Sequence, residues 1–483
     1  MGSVFRTNNP LEYAEVDGIV IDETAPAPGV QGVGTGVAIL VGQFQRGPFA
    51  LTRVADMTDF HTKFGKSSFS GNKQLKNKKF AALKIIRVIA SDAVKATRTF
   101  ASAVPTNTIK FDAKDKGAYG NKIKVTIEAG SVSGKKYTIQ DTNDGMTEFY
   151  QDEVYDNVAI TGAAAAMAGS KLVDVTVLST VGEPANAAAT ALASGSDGTV
   201  ADGDYEDAIA LAEADGAGNI LFLDVYNQVR NGYLKVHAGL TQDKMVICAE
   251  EEADLTSDNE TDVALLRDTD GRIIYASNWV QTTIDGASEY TSPASWLASI
   301  MSQTSPHVDP AYAGNAGLMF GATGLKKQLT RDDYKRLMAA GVCAFEFDAD
   351  IGFKPKSGIV TQIANSSKLT ILRRRMADWM TGSWAKFMKV YQNDVNSADK
   401  RNAVIAALLA WDTQQESLGI LPKDSEVTGG KAKLYDGKSL NTNDTIAQGK
   451  FFIKIKRRIY SSMRFIVFKA EIGESVVVTE TEE

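Results

Sequence analysis

The sequence predicts an α/β protein of several domains, and three observations carry that prediction. From Asp202 onward, buried strands alternate with helices, which implies βα units on a largely parallel sheet with helices on both faces. Between about 97 and 178 the strands are short, alternating and separated by Gly- and Asp-rich turns, the pattern of a small β-sandwich or barrel. After 367, two long helices lead into alternating strands. A chain of 483 residues is long enough for roughly two to four such domains.

Residues 1–30 read as an extended arm. Its one strand, 13–21, lies between Pro10 and the linker Ala25-Pro-Ala-Pro-Gly29, and a strand between stiff polar connectors needs a sheet supplied from elsewhere. Residues 31–96 begin the core: Gly29-Val-Gln-Gly-Val-Gly-Thr-Gly36, a buried strand at 37–41, a short helix over 54–65 with Phe60 and Phe64 one turn apart, and a strand at 83–89. The glycines precede the strand and no helix opens on them, so this is not the dinucleotide-binding order. Four lysines between Lys73 and Lys79 read either as a solvated helix face or as a phosphate patch.

An insertion follows at 97–197. Its strands are 96–100, 108–111, 121–127, 136–139 and 148–150, with 173–178 closing it, and the Ala-rich segments 163–168 and 185–193 mark its far boundary. In the α/β domain, 198–366, strands at 219–224, 244–248, 271–275 and 342–347 alternate with helices at 204–213, 227–241, about 258–268 and 292–302. A further helix, 334–340, starts from a capping-box-like Thr330-Arg-Asp-Asp333 and stops at Gly341.

The carboxy-terminal domain, 367–473, opens with helix 369–391, striped by Leu372, Met376, Trp379, Phe387 and Tyr391. Helix 398–418 is capped by Ser397, striped by Val404, Ile405, Leu408, Trp411 and Leu418, and ended by Gly419 and Pro422. Arg373-Arg-Arg375 reads as a solvated helix end or as a docking contact to an acidic partner. From Phe452 the chain alternates, with Phe452, Lys454, Lys456 and Arg458 on one face and Ile453, Ile455, Arg457 and Ile459 on the other. A second strand, 465–472, is positioned to pair with it. A third, 475–479, lies in a final arm, 474–483, beyond Gly473. Two paired strands leave two open edges, so the third either completes a local meander or fills the edge of a neighbouring chain.

Apolar residues at 44% and charged residues at 23% are ordinary for a globular protein, and a net charge of −7 with no basic domain argues against a nucleic-acid binder. Cys248 and Cys343 sit in apolar runs and read as buried thiols. No apolar stretch suits a signal peptide or a membrane span, so folding in a cytoplasm is expected. The histidines, His61, His237 and His307, show no metal-ligand spacing, and there is no Gly-x-Ser-x-Gly or Walker sequence. Asp224, at the end of a buried strand, is the best single catalytic candidate because open α/β sheets bind ligands at that edge. No identifiable base or nucleophile accompanies it, so no catalytic or metal site is expected.

Four stretches form a recognisable series. After the extended arm comes Gly34-Thr-Gly-Val-Ala-Ile-Leu-Val-Gly42, with Arg46-Gly-Pro48 and Phe60-His-Thr-Lys-Phe-Gly65. Next is Lys116-Gly-Ala-Tyr-Gly-Asn-Lys-Ile-Lys-Val-Thr-Ile127, then the helix–Gly–strand unit 329–347, then the helix pair followed by 451–472. In this order, over essentially the full length, they resemble the tail sheath protein of contractile-tailed bacteriophages and related contractile injection systems. Ser357-Gly-Ile-Val-Thr-Gln362 departs from the Trp-Gly-Ala-Arg-Thr sequence common after the family's glycine.

The resemblance implies a subtilisin-like α/β core without a catalytic triad, a β-sandwich insertion, and an α+β C-terminal domain with terminal strand arms. It implies a structural protein, not an enzyme, that needs no cofactor. Its subunits would polymerise in six-start helical rows around a tail tube, with baseplate and tail terminator proteins as further partners. Contraction would drive the tube through the host envelope during genome delivery. The subunit would belong to the virion tail, assemble in the host bacterial cytoplasm, and neither bind nucleic acid nor insert in a membrane.

On that reading the inter-subunit arms carry Val16, Ile19, Val20, Ile21, Val476, Val477 and Val478. The acceptor sheet carries Phe452, Ile453, Ile455, Phe465, Val467 and Phe468, giving a four-stranded sheet from three subunits. Tube contact would fall on Arg373, Arg374, Arg375, Asp412 or Glu416. A phage-derived, pyocin-like particle is the near alternative. A Rossmann-like enzyme with a ligand near Asp224, or a monomeric adhesin-like binding protein, represents other classes.

Overall fold

The computed structural model describes residues 32–464 apart from 67–68, 103–105, 144–151, 217–218, 242, 253–258, 365–368 and 428–430, together with the backbone course of 3–7 and 18–22. The described residues fall into two compact units, divided at Val33/Gly34, Asp378/Trp379 and Tyr460/Ser461.

The larger unit is built on an eight-stranded sheet. From edge to edge its strands are Gly352–Pro355, Val342–Asp348, Ile273–Ser277, Met245–Ala249, Ile220–Leu223, Val37–Gln43, Ala82–Val88 and Thr52–Val54. The six inner strands are parallel, and each edge strand is antiparallel to its neighbour. Parallel strands are buried on both faces, which is why Ile220–Leu223 and Met245–Ala249 are continuous apolar runs with every residue buried. The helix Pro293–Gln303 packs across Val37–Gln43 and the three strands from 220 to 277; only its last residue escapes full burial. Its start is fixed by Ser292, whose side chain accepts from Ala294 N, and by Pro293 in the first turn. Arg331–Ala340 is capped as its sequence predicts, with a Thr330/Asp333 capping box and a left-handed Gly341. The Lys73–Lys79 stretch is not simply a solvated face. Lys78 is buried, its ammonium 4.2 Å from the centre of the Trp296 ring.

The insertion is a β-sandwich. One sheet runs Glu153–Val158, Lys135–Asp141, Ile123–Ala129, Ala187–Ala191; the other runs Val173–Val177, Asn107–Lys116, Lys95–Ala101. All pairs are antiparallel, and alternate residues such as Ile109, Phe111, Val125, Ile127, Tyr137 and Ile139 point into one shared core. The predicted strand at 148–150 lies outside the described residues. The Ala-rich segments are part of the sandwich: Ala163–Ala166 is a short helix against Val173–Val177, and Ala187–Ala191 is an edge strand of the four-stranded sheet, just before the neck. The neck is closed where Val94 bridges Ser196 and Thr97 bridges Ala193.

The Gly-Ala-Tyr-Gly-Asn motif holds that neck together. A Cβ on Gly120 would lie 2.7 Å from the Cβ atoms of both Ala96 and Ala113, so two strands can close over it only as glycine. The Tyr119 hydroxyl accepts from Arg46 at 3.0 Å, and the Asn121 amide exchanges two 2.8 Å bonds with the Gly195 backbone. Arg87, buried, donates to the carbonyls of Phe44, Gly47 and Lys116, spanning core and insertion.

In the smaller unit, the helix Ala398–Ser417 is capped by Ser397. It packs through Val404 and Leu408 on Phe387 and Trp384, which lie in the second half of the helix Ile371–Met388. Trp379 and Trp411 meet at 5.0 Å, and Val33 N donates to the Ser383 hydroxyl at 3.1 Å. Ser3–Thr7 and Gly18–Asp22 form a parallel two-stranded sheet of their own, in register from Ser3↔Gly18 to Thr7↔Asp22. The described part of the predicted arm strand is Gly18–Asp22, and it has a partner that its own pattern did not reveal.

Candidate functional site

The residues expected to link subunits lie at the terminal strands. Phe451, Ile453 and Ile455 join the helix-pair core, whereas Phe452, Lys454, Lys456 and Arg458 are exposed, as the alternation predicts. The strand itself is Lys454–Arg457; the expected partner 465–472 lies outside the described residues. Lys454–Arg457 pairs antiparallel with Lys433–Asp436, Leu434 opposite Lys456 and Tyr435 opposite Ile455.

The reason for this pairing is a buried polar cluster. Arg457 occupies an inward position of the alternation with its side chain 2% exposed, and reaches Asp412 (0% exposed) at 3.3 Å and Glu416 at 2.9 Å. Tyr435 donates to Asp412 at 2.6 Å, Lys433 pairs with Glu416 at 2.9 Å, and Arg457 Nη2 donates to the Pro422 carbonyl. Burial pushes the Asp412 carboxyl up, against the opposing pull of Tyr435 and Arg457. The cluster fixes register, because a one-residue slip would put Lys454 and Lys456 where Ile453 and Ile455 now sit. A charged residue on the apolar face of the strand was the sequence signal for it.

Among the described residues, this pair forms a two-stranded sheet with no further strand on either edge. Ile19, Val20 and Ile21 lie in Gly18–Asp22, whereas Val16, Phe465, Val467, Phe468 and Val476 to Val478 lie outside the described residues.

The arginine triplet is not a solvated helix end. Arg375 is buried, and its guanidinium donates to the carbonyls of Met301 (2.7 Å), Thr304 (2.8 Å) and Ser305 and to the Thr304 hydroxyl. It thus caps the carboxyl end of Pro293–Gln303, where orphan carbonyls and the helix dipole favour a cation. Burial lowers the guanidinium to about 10. Arg374 pairs with Asp378, which also takes a bidentate bond from Arg272 at 3.0 Å. Arg373 and Arg374 are half-buried. Asp412 and Glu416 belong to the buried cluster, so Arg374, Arg375, Asp412 and Glu416, all read as tube-facing, have internal partners.

Asp224 stands at the carboxyl end of Ile220–Leu223, where the strand order reverses about Val37–Gln43, the position at which open α/β sheets bind ligands. Its fully buried carboxylate accepts from Gln43 N (2.8 Å), the Tyr205 hydroxyl (2.7 Å) and the Ser70 hydroxyl. Gly42 leaves room for it: a Cβ there would lie 2.8 Å from the Asp224 Cγ. Burial raises the Asp224 carboxyl. This is a latch between strand ends, with every partner a neutral donor. A cavity of about 530 Å³ opens beside it, but its Lys73 and Glu289 are paired with each other at 2.6 Å. The two cysteine thiols are buried and raised, and His237 is enclosed with its imidazole lowered to about 4 by burial. Among the described residues no group of His, Cys, Asp and Glu side chains is arranged to hold a metal ion, and no helix is long and apolar enough to cross a membrane.

No protein-family model matches the sequence, and no curated protein does. Solved structures do match the fold, and they define its class: the chain has the architecture of tail sheath proteins. The crystal structure of a sheath tail protein from Listeria innocua is 16% identical, with a TM-score of 0.65, covering 88% of this chain and 96% of that one. A sheath tail protein from Desulfitobacterium hafniense is also 16% identical, at a TM-score of 0.61 over 92% and 100%. The helical sheath of the anti-feeding prophage, in its contracted state, is 14% identical at a TM-score of 0.58 over 94% and 99%.

Proposed function

We propose that this chain is a structural sheath subunit that polymerises helically around a tail tube and contracts to drive the tube through a host envelope during genome delivery. The observation that carries this reading is correspondence of fold over 88–92% of this chain and 96–100% of the sheath tail proteins. The segments 1–30, 31–96, 97–197, 198–366, 367–473 and 474–483 take the sheath roles of arm, core, insertion, subtilisin-like core, carboxy-terminal domain and arm. Neighbouring subunits, the tail tube, the baseplate and a tail terminator are the partners, and the subunit does no catalysis. The same part serves a phage tail or a phage-derived injection particle equally.

Strand exchange supplies the linkage. Two two-stranded sheets, one of them parallel, are marginal alone and become stable by adding strands from neighbours. We assign Gly18–Asp22 and 475–479 as donors, and the Lys454–Arg457 sheet as part of the acceptor. Main-chain hydrogen bonds on extended tethers hold while rigid bodies rotate, and a head-to-tail contact that does not close makes a filament. Tube contact stays assigned to the carboxy-terminal helical region, with Arg373 and Arg374 the members of the original set that have surface to offer.

Negative-stain microscopy of the purified chain tests the function: hollow, striated tubes or rings are expected, and monomers at every concentration would sink it. Deleting 1–24 or 474–483 is expected to leave folded monomers that do not polymerise. Normal tubes from both truncations would refute strand exchange.

A further inference from the structure

Two features of this chain complement each other. The first is the hairpin at one edge of the large sheet, Val342–Asp348 with Gly352–Pro355. Phe347 and Phe353 stand opposite each other across it, ring centres 4.8 Å apart, with Phe347 60% and Ile351 42% exposed. Asp348 and Asp350 flank these apolar groups, bonded to each other through Asp350 N and Asp348 Oδ1 at 2.9 Å. The nearby cations, Lys354 and Lys356, are both committed to Glu346 at 2.7 Å, and among the described residues neither aspartate has an ion-pair partner. The tip is a knob of exposed apolar surface with unmatched negative charge.

The second feature is a cavity of about 640 Å³ within the smaller unit, lined by Tyr391, Val395, Val404 and Phe451. Arg401 stands on its wall. Its Nη1 donates to the Asn396 carbonyl (2.8 Å) and the Asn396 side-chain oxygen (2.9 Å), both neutral, while the adjacent Lys400 is paired with Asp394. The wall is part apolar and part polar, Gln392, Asn393 and the Asp394–Lys400 pair also lining it, and Arg401 has no carboxylate partner among the described residues; the size is in the range that encloses a bound group.

We infer that the hairpin tip of one subunit inserts into this cavity of a second copy, with Phe347 and Ile351 against its apolar lining and the Asp348–Asp350 carboxylates against Arg401. Charge complementarity singles out a second copy, since each surface supplies the sign the other lacks. The contact joins different surfaces of two subunits, so it propagates and gives a row polarity. One tip buries well under the ~1,200 Å² of a stable interface, so it acts only alongside other contacts that raise its effective concentration. It rests on the sheath reading, in which those other contacts are the arms.

The test is assembly of the full chain, measured by sedimentation and microscopy. Arg401→Glu and the pair Asp348→Lys with Asp350→Lys are each expected to lower the assembled fraction at least ~10-fold with unchanged thermal melts, and mixing the two variants is expected to restore rows of alternating subunits. A Phe347→Cys chain and a Val395→Cys chain, mixed under oxidation, are expected to cross-link; both native cysteines are buried. Wild-type tubes with equally good tubes from Arg401→Glu, or tubes without the cross-link, would overturn this contact alone. A wild-type chain that never assembles would overturn it together with the sheath reading.

Discussion

Replacing Arg457 by Met, close to it in length, removes the cation at the centre of the buried cluster and keeps most of its packing. The structure bounds the cost. Breaking a buried pair by deleting one partner costs about 3–5 kcal/mol, because a buried charge is left uncompensated. Here Asp412 keeps Tyr435 and Glu416 keeps Lys433, so the lower end, about 3 kcal/mol, is expected. With a urea slope of about 1–3 kcal/mol/M, the unfolding midpoint of this unit should fall by about 1–3 M. Because Arg457 opposes the upward push on Asp412, its loss raises that carboxyl further, and Arg457→Met with Asp412→Asn should recover part of the loss. Urea unfolding followed by Trp fluorescence, which reports Trp379, Trp384 and Trp411 in this unit, is the assay. A loss below about 0.5 kcal/mol, or a double variant no better than the single, would show that packing alone sets the strand register.

Two further outcomes follow from buried groups. His237 is neutral in the fold, at about 4, against about 6.5 when unfolded, so the unfolded chain binds the extra proton between those values. Stability from this group is complete above pH 6.5 and falls as pH drops towards 4, by at most about 1.4 kcal/mol per pH unit; His237→Phe should flatten that part of a pH series of urea midpoints, and an unchanged slope would exclude His237 as its source. Gly42→Ala forces a Cβ onto the Asp224 carboxylate, an overpacking that should cost about 1–3 kcal/mol in thermal melts, and a neutral result would mean that the latch yields freely.

Local chemistry was legible where it is written locally. The Ser397 and Thr330 caps, the buried runs of the parallel sheet and the alternation after Phe452 appear in the structure close to where their residues place them. What was not legible is partnership over distance. Three consecutive arginines look alike in sequence, and only the helix end near Thr304 makes Arg375 a buried cap. Lys433–Asp436 carries too short a pattern to announce itself as a strand, and its pairing is chosen by Arg457, Asp412 and Tyr435 together. The Asp224 site was correctly placed at the strand ends, but its hydroxyl and amide partners come from three other segments, which turns a catalytic candidate into a latch.

The exposed face beside the Lys454–Arg457 strand carries Lys454, Lys456 and Arg458, whereas the segments assigned as donors run among acids: Asp22 at one end of the chain, Glu480, Glu482 and Glu483 at the other. Two copies that approach sheet to sheet meet cation against cation, and lysines at a sheet edge are a known guard against indiscriminate pairing. On the strand-exchange proposal, approach of two such faces is disfavoured, while a donor strand arrives with the opposite sign. The charge pattern thereby favours one kind of edge contact over another.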